Sequence, residues 1–239
     1  MEKFNGVIVK HFDYMESSLI LHVYTIEGMK SVLVRGGKKF KSPFLGAQNT
    51  MSFVEFHASG KAMMTAKEMT LLDSFPGIRS SVEKTTYASH MLELIEHFAD
   101  GGIDHKKAFP FLVKILAKID VETEYIPYVN MFESKLLYLL GVNPHFRECV
   151  VCQSHDHLSF SIQEGGMICD DHPHANNEYS HQCVELFEFL YYYDLQHPSS
   201  IETDHETLAE LRHLLDAYYW YHLQIKTKSR TVLEGFLGY

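Results

Sequence analysis

Ser74-Phe75-Pro76-Gly77-Ile78-Arg79-Ser80-Ser81-Val82-Glu83 divides the chain into two textures. Before it, β-rich runs are separated by turn residues. Val7 and Val9 alternate with Ile8 and Lys10, and Leu19 to Ile26 closes on Glu27-Gly28. Lys30 to Arg35 keeps Val32 and Val34 in phase, and Met51 to Ala58 alternates around Phe53 and Glu55. Lys61 to Ala66 and Met69 to Asp73 complete the set. About five or six short strands with turn signals between them predict a small barrel or sandwich. After the stretch the apolar period lengthens. Ser80 with Glu83 forms a capping-box pattern, predicting a helix through Ala88, Leu92, Ile95 and Ala99 that stops at Asp100-Gly101-Gly102. Further helical patterns run from Lys106 to Ile119, through Phe132, Leu136 and Leu139, and around Cys183, Phe187 and Leu190. A last one starts at a second capping box, Thr203 with Glu206. The fold class expected is α+β with two domains: a barrel over residues 1–79 and a helical domain over 80–239.

The charge divides at the same place. The 239 residues hold 21 Lys+Arg against 31 Asp+Glu, a net charge of -10. That total argues against a nucleic-acid binder, which usually shows a basic excess. Residues 1–80, however, carry ten basic and seven acidic side chains, net +3, leaving 11 and 24, net -13, for the rest. The basic residues crowd into Arg35-Gly36-Gly37-Lys38-Lys39-Phe40-Lys41-Ser42-Pro43-Phe44, with Lys30 just upstream. Glycine and proline place this run in a loop. Arg35, Lys38, Lys39 and Lys41 suit phosphates, and Phe40 and Phe44 suit stacking on bases. The alternative is a solvated loop whose lysines only keep it soluble. A second basic cluster, Lys226, Lys228 and Arg230, closes the C-terminal helical pattern, where it serves either DNA or the helix dipole.

Four cysteines are too few for a disulfide scaffold at this length. Three of them fall in Cys149-Val150-Val151-Cys152 and Cys169-Asp170-Asp171-His172. Two short knuckles, each giving a pair of ligands, are the spacing of a structural zinc site. The expected ligands are Cys149, Cys152, Cys169 and His172, with His174, His155 and His157 as competitors for the fourth place. The zinc would staple an insert of about 145–178 that is too small to build its own core. Cys183 reads as buried core. Four protein ligands leave no open position for water or substrate. The H-x-E with P-C-x-x-C of zinc deaminases is missing, as are H-E-x-x-H, a P-loop and a G-x-S-x-G elbow. No enzyme is expected. The N-terminus lacks an apolar signal core, and no run reaches the roughly 18 apolar residues of a spanning helix. The expectation is a cytoplasmic protein without a membrane partner.

The stretches Gly6 to Ser17, Val34 to Ser42, Ser74 to Arg79, Leu136 to Cys152 and Lys228 to Leu233, taken together, resemble the RecO family of bacterial recombination mediators. Gly6-Val7-Ile8-Val9-Lys10 with Asp13-Tyr14-Met15-Glu16-Ser17 resembles its first strand and turn, with Met15 where the family usually has Gly and Ser18 where it usually has Asp. Val34-Arg35-Gly36 through Lys41-Ser42 resembles its basic loop, and Ser74 to Arg79 its barrel-to-helix junction. Leu136-Leu137 to Gly141 followed by Cys149-x-x-Cys152 resembles its approach to the zinc knuckle, and Lys228-Ser229-Arg230 with Leu233 its C-terminal signature. Zinc-bearing members commonly use four cysteines, so His172 is a departure. The resemblance covers nearly the whole chain. It implies an N-terminal OB-fold and a helical domain with an inserted zinc-finger module. It also implies binding to single- and double-stranded DNA, strand annealing, and loading of RecA with RecR onto DNA coated by single-stranded-DNA-binding protein (SSB). RecF is a further candidate partner, and a nucleoid-associated place in the cytoplasm follows. The competing reading is a zinc-stapled protein–protein adaptor without DNA affinity, which the overall acidity favours.

Overall fold

The structure is a computed structural model that describes residues 1–44, 46–172 and 179–237. The first five strands are β1 (Glu2–Tyr14), β2 (Ser18–Thr25), β3 (Gly28–Val34), β4 (Phe53–Gly60) and β5 (Met64–Asp73). They close into a barrel in the order β1-β2-β3-β5-β4. All neighbours pair antiparallel except β3 with β5, which run parallel through Val32–Met64 and Leu33–Thr65. This is the five-stranded OB-fold. The alternation read from the sequence is the alternation of burial: Leu19, Leu21 and Val23 point inward beside Val32, Val34, Val54 and Phe56. Each fully buried aliphatic side chain of this kind stabilises the fold by roughly 1.5–3 kcal/mol. The segments expected as two strands, 61–66 and 69–73, are one strand, β5. A register shift against β4 near His57 and Ala58 absorbs the irregularity that broke the pattern.

The dividing stretch forms a short helix, α1 (Pro76–Arg79), that the sequence did not announce. Phe75 caps it at φ 49° and is buried, with its N–H donated to the Asp73 carboxylate. Gly77 has to be glycine: a Cβ there would lie 2.1 Å from the Asp120 carbonyl oxygen. Ile78 N–H donates to the Asp120 carboxylate at 2.8 Å, tying the junction to the end of α3 (His105–Val121). Arg79 spans back to the barrel, donating to the Thr50 carbonyl and the Ser52 hydroxyl. The next helix, α2 (Val82–Phe98), is capped by Ser81, which accepts from Lys84 N–H, and not by Ser80. The Ser80 hydroxyl is occupied by the Gly77 carbonyl.

The remaining elements are α4 (Ile126–Leu139), the hairpin β6 (Leu158–Ser161) and β7 (Gly166–Cys169), α5 (His181–Tyr192), α6 (His205–Leu223) and α7 (Lys228–Leu237). Asp204, one residue after the expected Thr203, caps α6 by accepting from Thr207 N–H. The chain divides into two compact units, one of Met1–Glu122 with Thr227–Tyr239 and one of Thr123–Lys226. The expected line at residue 80 marks the change from strands to helices. The first unit extends past it, because α1, α2, α3 and α7 pack with the barrel segment. His90 on α2 meets the Thr227 hydroxyl at 2.6 Å, and Ser229 donates to the Glu93 carboxylate at 2.8 Å. In the second unit α5 and α6 pack together and against α4. Among the described residues no helix is long and apolar enough to cross a membrane.

Candidate functional site

Two places concentrate the chemistry. The first is in the second unit. The chain leaves α4, and His145 joins β7 by a short parallel bridge to Gly166. His145 N–H donates to the Gly165 carbonyl and Met167 N–H returns to the His145 carbonyl. A Cβ at Gly166 would lie 2.6 Å from the His145 oxygen and 2.9 Å from Val150 Cγ1, so only glycine lets the strap lie on the hairpin. The first knuckle is closed by Gln153 N–H donating to the Cys149 carbonyl and by Cys149 N–H donating to that of Ser154. The second is closed by His172 N–H donating to the Cys169 carbonyl at 3.1 Å.

These turns bring Cys149, Cys152, Cys169 and His172 together, with all four ligand atoms within 4.8 Å of one another. The four cysteines of the chain form no disulfide, although the Cys152 and Cys169 sulfurs lie 3.6 Å apart. Burial alone would raise the Cys149 thiol, but backbone N–H groups of Cys152, Cys169 and Val151 outweigh it and bring it down to about 6. Burial, with the neighbouring Cys152 and Cys149 sulfurs, pushes Cys169 up to about 11. A cation at the centre relieves this conflict by stabilising every thiolate at once. The three thiols and the imidazole therefore fit a metal ion. His155 is engaged elsewhere, its Nδ1 3.0 Å from the Arg147 carbonyl oxygen. His157 is outside the cluster. His174, and residues 173–178 of the expected insert, lie outside the described residues. The cluster's own core is small, with Ile168 and half-buried Leu158 beside Cys149 and Cys169. Aromatic contacts dock the module: Phe146 and Phe160 meet Phe187 of α5 at 5.0 and 5.7 Å. Cys183 is buried apart from the cluster, where burial raises its thiol to about 12, the environment of an inert core cysteine.

The second place is the loop after β3, in the first unit. Arg35, Lys38, Lys39, Phe40 and Lys41 are all exposed, Phe40 to 95%. The loop is anchored on the β1–β2 turn by Lys38 N–H donating to the Ser17 carbonyl at 3.0 Å. Lys38 also pairs with the Asp13 carboxylate at 2.6 Å. Among the described residues no ion pair engages Arg35, Lys39 or Lys41. Lys30 is committed to the barrel: it pairs with Glu2 and Glu27 and lies 4.6 Å above the Phe4 ring.

Two expectations fail here. Phe44 is no stacking face. It is only 7% exposed and belongs to the barrel core with Ala47 and Val34. A loop of this length needs an apolar anchor of its own, and Phe44 supplies it, held by Ala47 N–H donating to its carbonyl. Nor is the C-terminal cluster an exposed basic patch closing a helix. The helix carrying Tyr218 ends at Leu223 with Gln224 as its left-handed cap. Lys228 and Arg230 instead open α7, and Arg230 is 3% exposed. Lys226 and Lys228 are exposed. The sequence also left Phe12 unremarked. It is half-exposed, next to Asp13, and set edge-on to His22 at 5.0 Å. Its place two residues after Lys10 on the same strand was the available signal.

Comparison with known proteins bears on both places. The family model described as Recombination protein O N terminal matches residues 1–75, and that described as Recombination protein O C terminal matches residues 79–231. The protein named DNA repair protein RecO from Bacillus cytotoxicus is 29% identical, over 98% of this chain and 96% of its own length. Proteins of the same name from Bacillus mycoides and Bacillus cereus are 28% identical over the same shares. With a barrel and loop inside one match and a Cys3His cluster inside the other, the chain belongs to the RecO family of DNA repair proteins.

Proposed function

We propose that this chain is a recombination mediator. In this reading it binds single- and double-stranded DNA, anneals complementary strands, and helps RecR load RecA onto SSB-coated DNA, with RecF as a further partner. The observation that carries the reading is the exposed cationic loop on the rim of an OB-fold barrel, with Phe40 standing free among Arg35, Lys39 and Lys41. This fold takes up oligonucleotides on the face of its second and third strands and at the loop joining its first two, and the basic loop leaves β3 and rests on that β1–β2 turn. The cations neutralise phosphate, and the ring offers a face to any base. Annealing requires no covalent chemistry, only two polyanions brought together with their bases accessible, so no catalytic group is needed. The Cys3His cluster is assigned to one structural zinc, since soft thiolates with an imidazole at tetrahedral spacing suit that ion. It holds the insert against α5 and takes no part in DNA chemistry. The acidic remainder of the chain suits protein partners, and the place of action is the cytoplasm, at the nucleoid.

The test replaces Lys38, Lys39 and Lys41 with Glu and measures binding to a single-stranded oligonucleotide across a salt series. The expected result is a large loss of affinity together with a shallower salt dependence. An unchanged affinity and slope in the variant would remove the loop from the function. Absence of any binding by the wild type would favour the protein–protein adaptor, to which the net charge of -10 otherwise lends itself.

A further inference from the structure

Two cavities in the second unit, of about 540 and about 500 Å3, adjoin on α5 and share Glu185 and Phe189 in their walls. Together they make one groove between α5 and the segment 194–207 that leads into α6. Its walls are fixed from within the unit. The Tyr193 hydroxyl donates to the Ser199 carbonyl at 2.6 Å, the Tyr193 ring meets Phe189 edge to face at 5.4 Å, and Asp204 caps α6. The groove is therefore formed before any ligand arrives, at a volume that suits an inserted side chain and its neighbours.

On the α5 side the lining is apolar. Leu186 is buried there, and the Phe189 and Tyr192 rings are 40% and 56% exposed. Around them stand five carboxylates, Glu185, Glu188, Asp194, Glu202 and Asp204, and no lysine or arginine lines either part. Among the described residues their only ion-pair partners are histidines, His181 for Glu185 at 3.3 Å and His197 for Asp194 at 2.8 Å. Nucleic acid and acidic peptides are repelled by such a rim. The complementary occupant joins cations for the carboxylates to a large apolar side chain for the rings. The loop Arg35–Lys41 of this same chain has that chemistry. Phe40 is 95% exposed, and no ion pair engages Arg35, Lys39 or Lys41 among the described residues.

We infer that the groove beside α5 receives the basic loop of a second copy of this chain, Phe40 against Phe189 and Tyr192 and the loop's cations against Glu185, Glu188 and Glu202. Loop and groove are different surfaces, so the contact is head-to-tail and each pair leaves one loop and one groove open. A single loop in a groove is a small interface, and its charges are screened by salt, so association is weak and falls as salt rises. The contact needs no DNA and stands apart from the DNA-binding reading; a loop seated in the groove is withheld from phosphate.

The experiment is sedimentation velocity of the full chain over a concentration series, at low and at high salt, without DNA. It compares wild type, Phe40→Ala, and the double variant Glu185→Lys with Glu188→Lys, each with an unchanged melting temperature. Wild type should associate at low salt and separate at high salt. Phe40→Ala, at a fully exposed position, should weaken association on the order of 30-fold, the loss of an anchoring ring. The double variant should stay monomeric. Mixed together, the two variants should form a one-to-one pair, because the first keeps its groove and the second keeps its loop. A wild type that stays monomeric at low salt, either variant associating as wild type does, or a mixture no heavier than its components would overturn the inference.

Discussion

Asp13→Asn should make this protein bind DNA more tightly and with a steeper dependence on salt. Asp13 holds Lys38 at 2.6 Å, and its own side chain is 69% exposed. Such an exposed pair is worth only about 0–1 kcal/mol, so it costs the barrel little to lose it. It matters for DNA because a lysine already paired with a carboxylate releases fewer counterions on meeting a phosphate. Arg35, Lys39 and Lys41 have no such partner among the described residues. Each phosphate neutralised on a single strand steepens the logarithmic salt slope by about 0.7. Three loop cations therefore contribute a slope of about 2, or about a 20-fold loss of affinity between 50 and 200 mM salt. Freeing Lys38 raises the loop's contribution to almost 3, or about 50-fold over the same range. Lys39→Ala and Lys41→Ala should each lower the slope by about 0.7, while Lys38→Ala should leave it close to the wild type. The assay is fluorescence anisotropy of a labelled oligonucleotide, titrated at several salt concentrations. If Lys38→Ala flattens the slope as much as Lys39→Ala, and Asp13→Asn changes nothing, the ion pair does not govern the loop.

Purified protein should contain about one zinc per chain, and Cys149→Ser should lose it; a folded, metal-free wild type would contradict the assignment. Phe44→Ala should destabilise the first unit by about 3–5 kcal/mol in denaturant unfolding, because it empties a core position. Phe40→Ala, at a side chain 95% exposed, should change stability by less than about 0.5 kcal/mol and act on binding alone. Ser81→Ala should cost about 0.5–2 kcal/mol as the loss of a helix cap, and more than Ser80→Ala; the reverse order in thermal melts would return the cap to Ser80.

The sequence carried the barrel and the Cys3His group because both are written locally. Alternation along Leu19 to Val23 is set by the pleat, and the two knuckles need only two residues between ligands. Of the candidates for the fourth ligand, His172 stands with the three cysteines, His155 and His157 do not, and His174 lies outside the described residues. The caps fell one residue late, at Ser81 and Asp204, because Ser80-Ser81 and Thr203-Asp204 each present two adjacent candidates. Only the competing bond from Ser80 to the Gly77 carbonyl separates the first pair. Phe44 and Arg230 were misread for another reason. Each looks like an exposed residue in a basic run, and each is buried by contacts distant in the chain. Phe44 packs among strands, and the segment of Arg230 is held to α2, as when Ser229 bonds Glu93 across 136 positions. Composition and period report none of this.

On the proposed function, this chain brings complementary DNA strands together. The direct measurement is the annealing rate of two complementary oligonucleotides, bare and coated with SSB, with wild type and with the Lys38→Glu, Lys39→Glu, Lys41→Glu variant. The wild type should accelerate annealing in both conditions, and the variant should not. Wild-type annealing no faster than the spontaneous rate on bare strands, with the protein folded and metal-loaded, would contradict it.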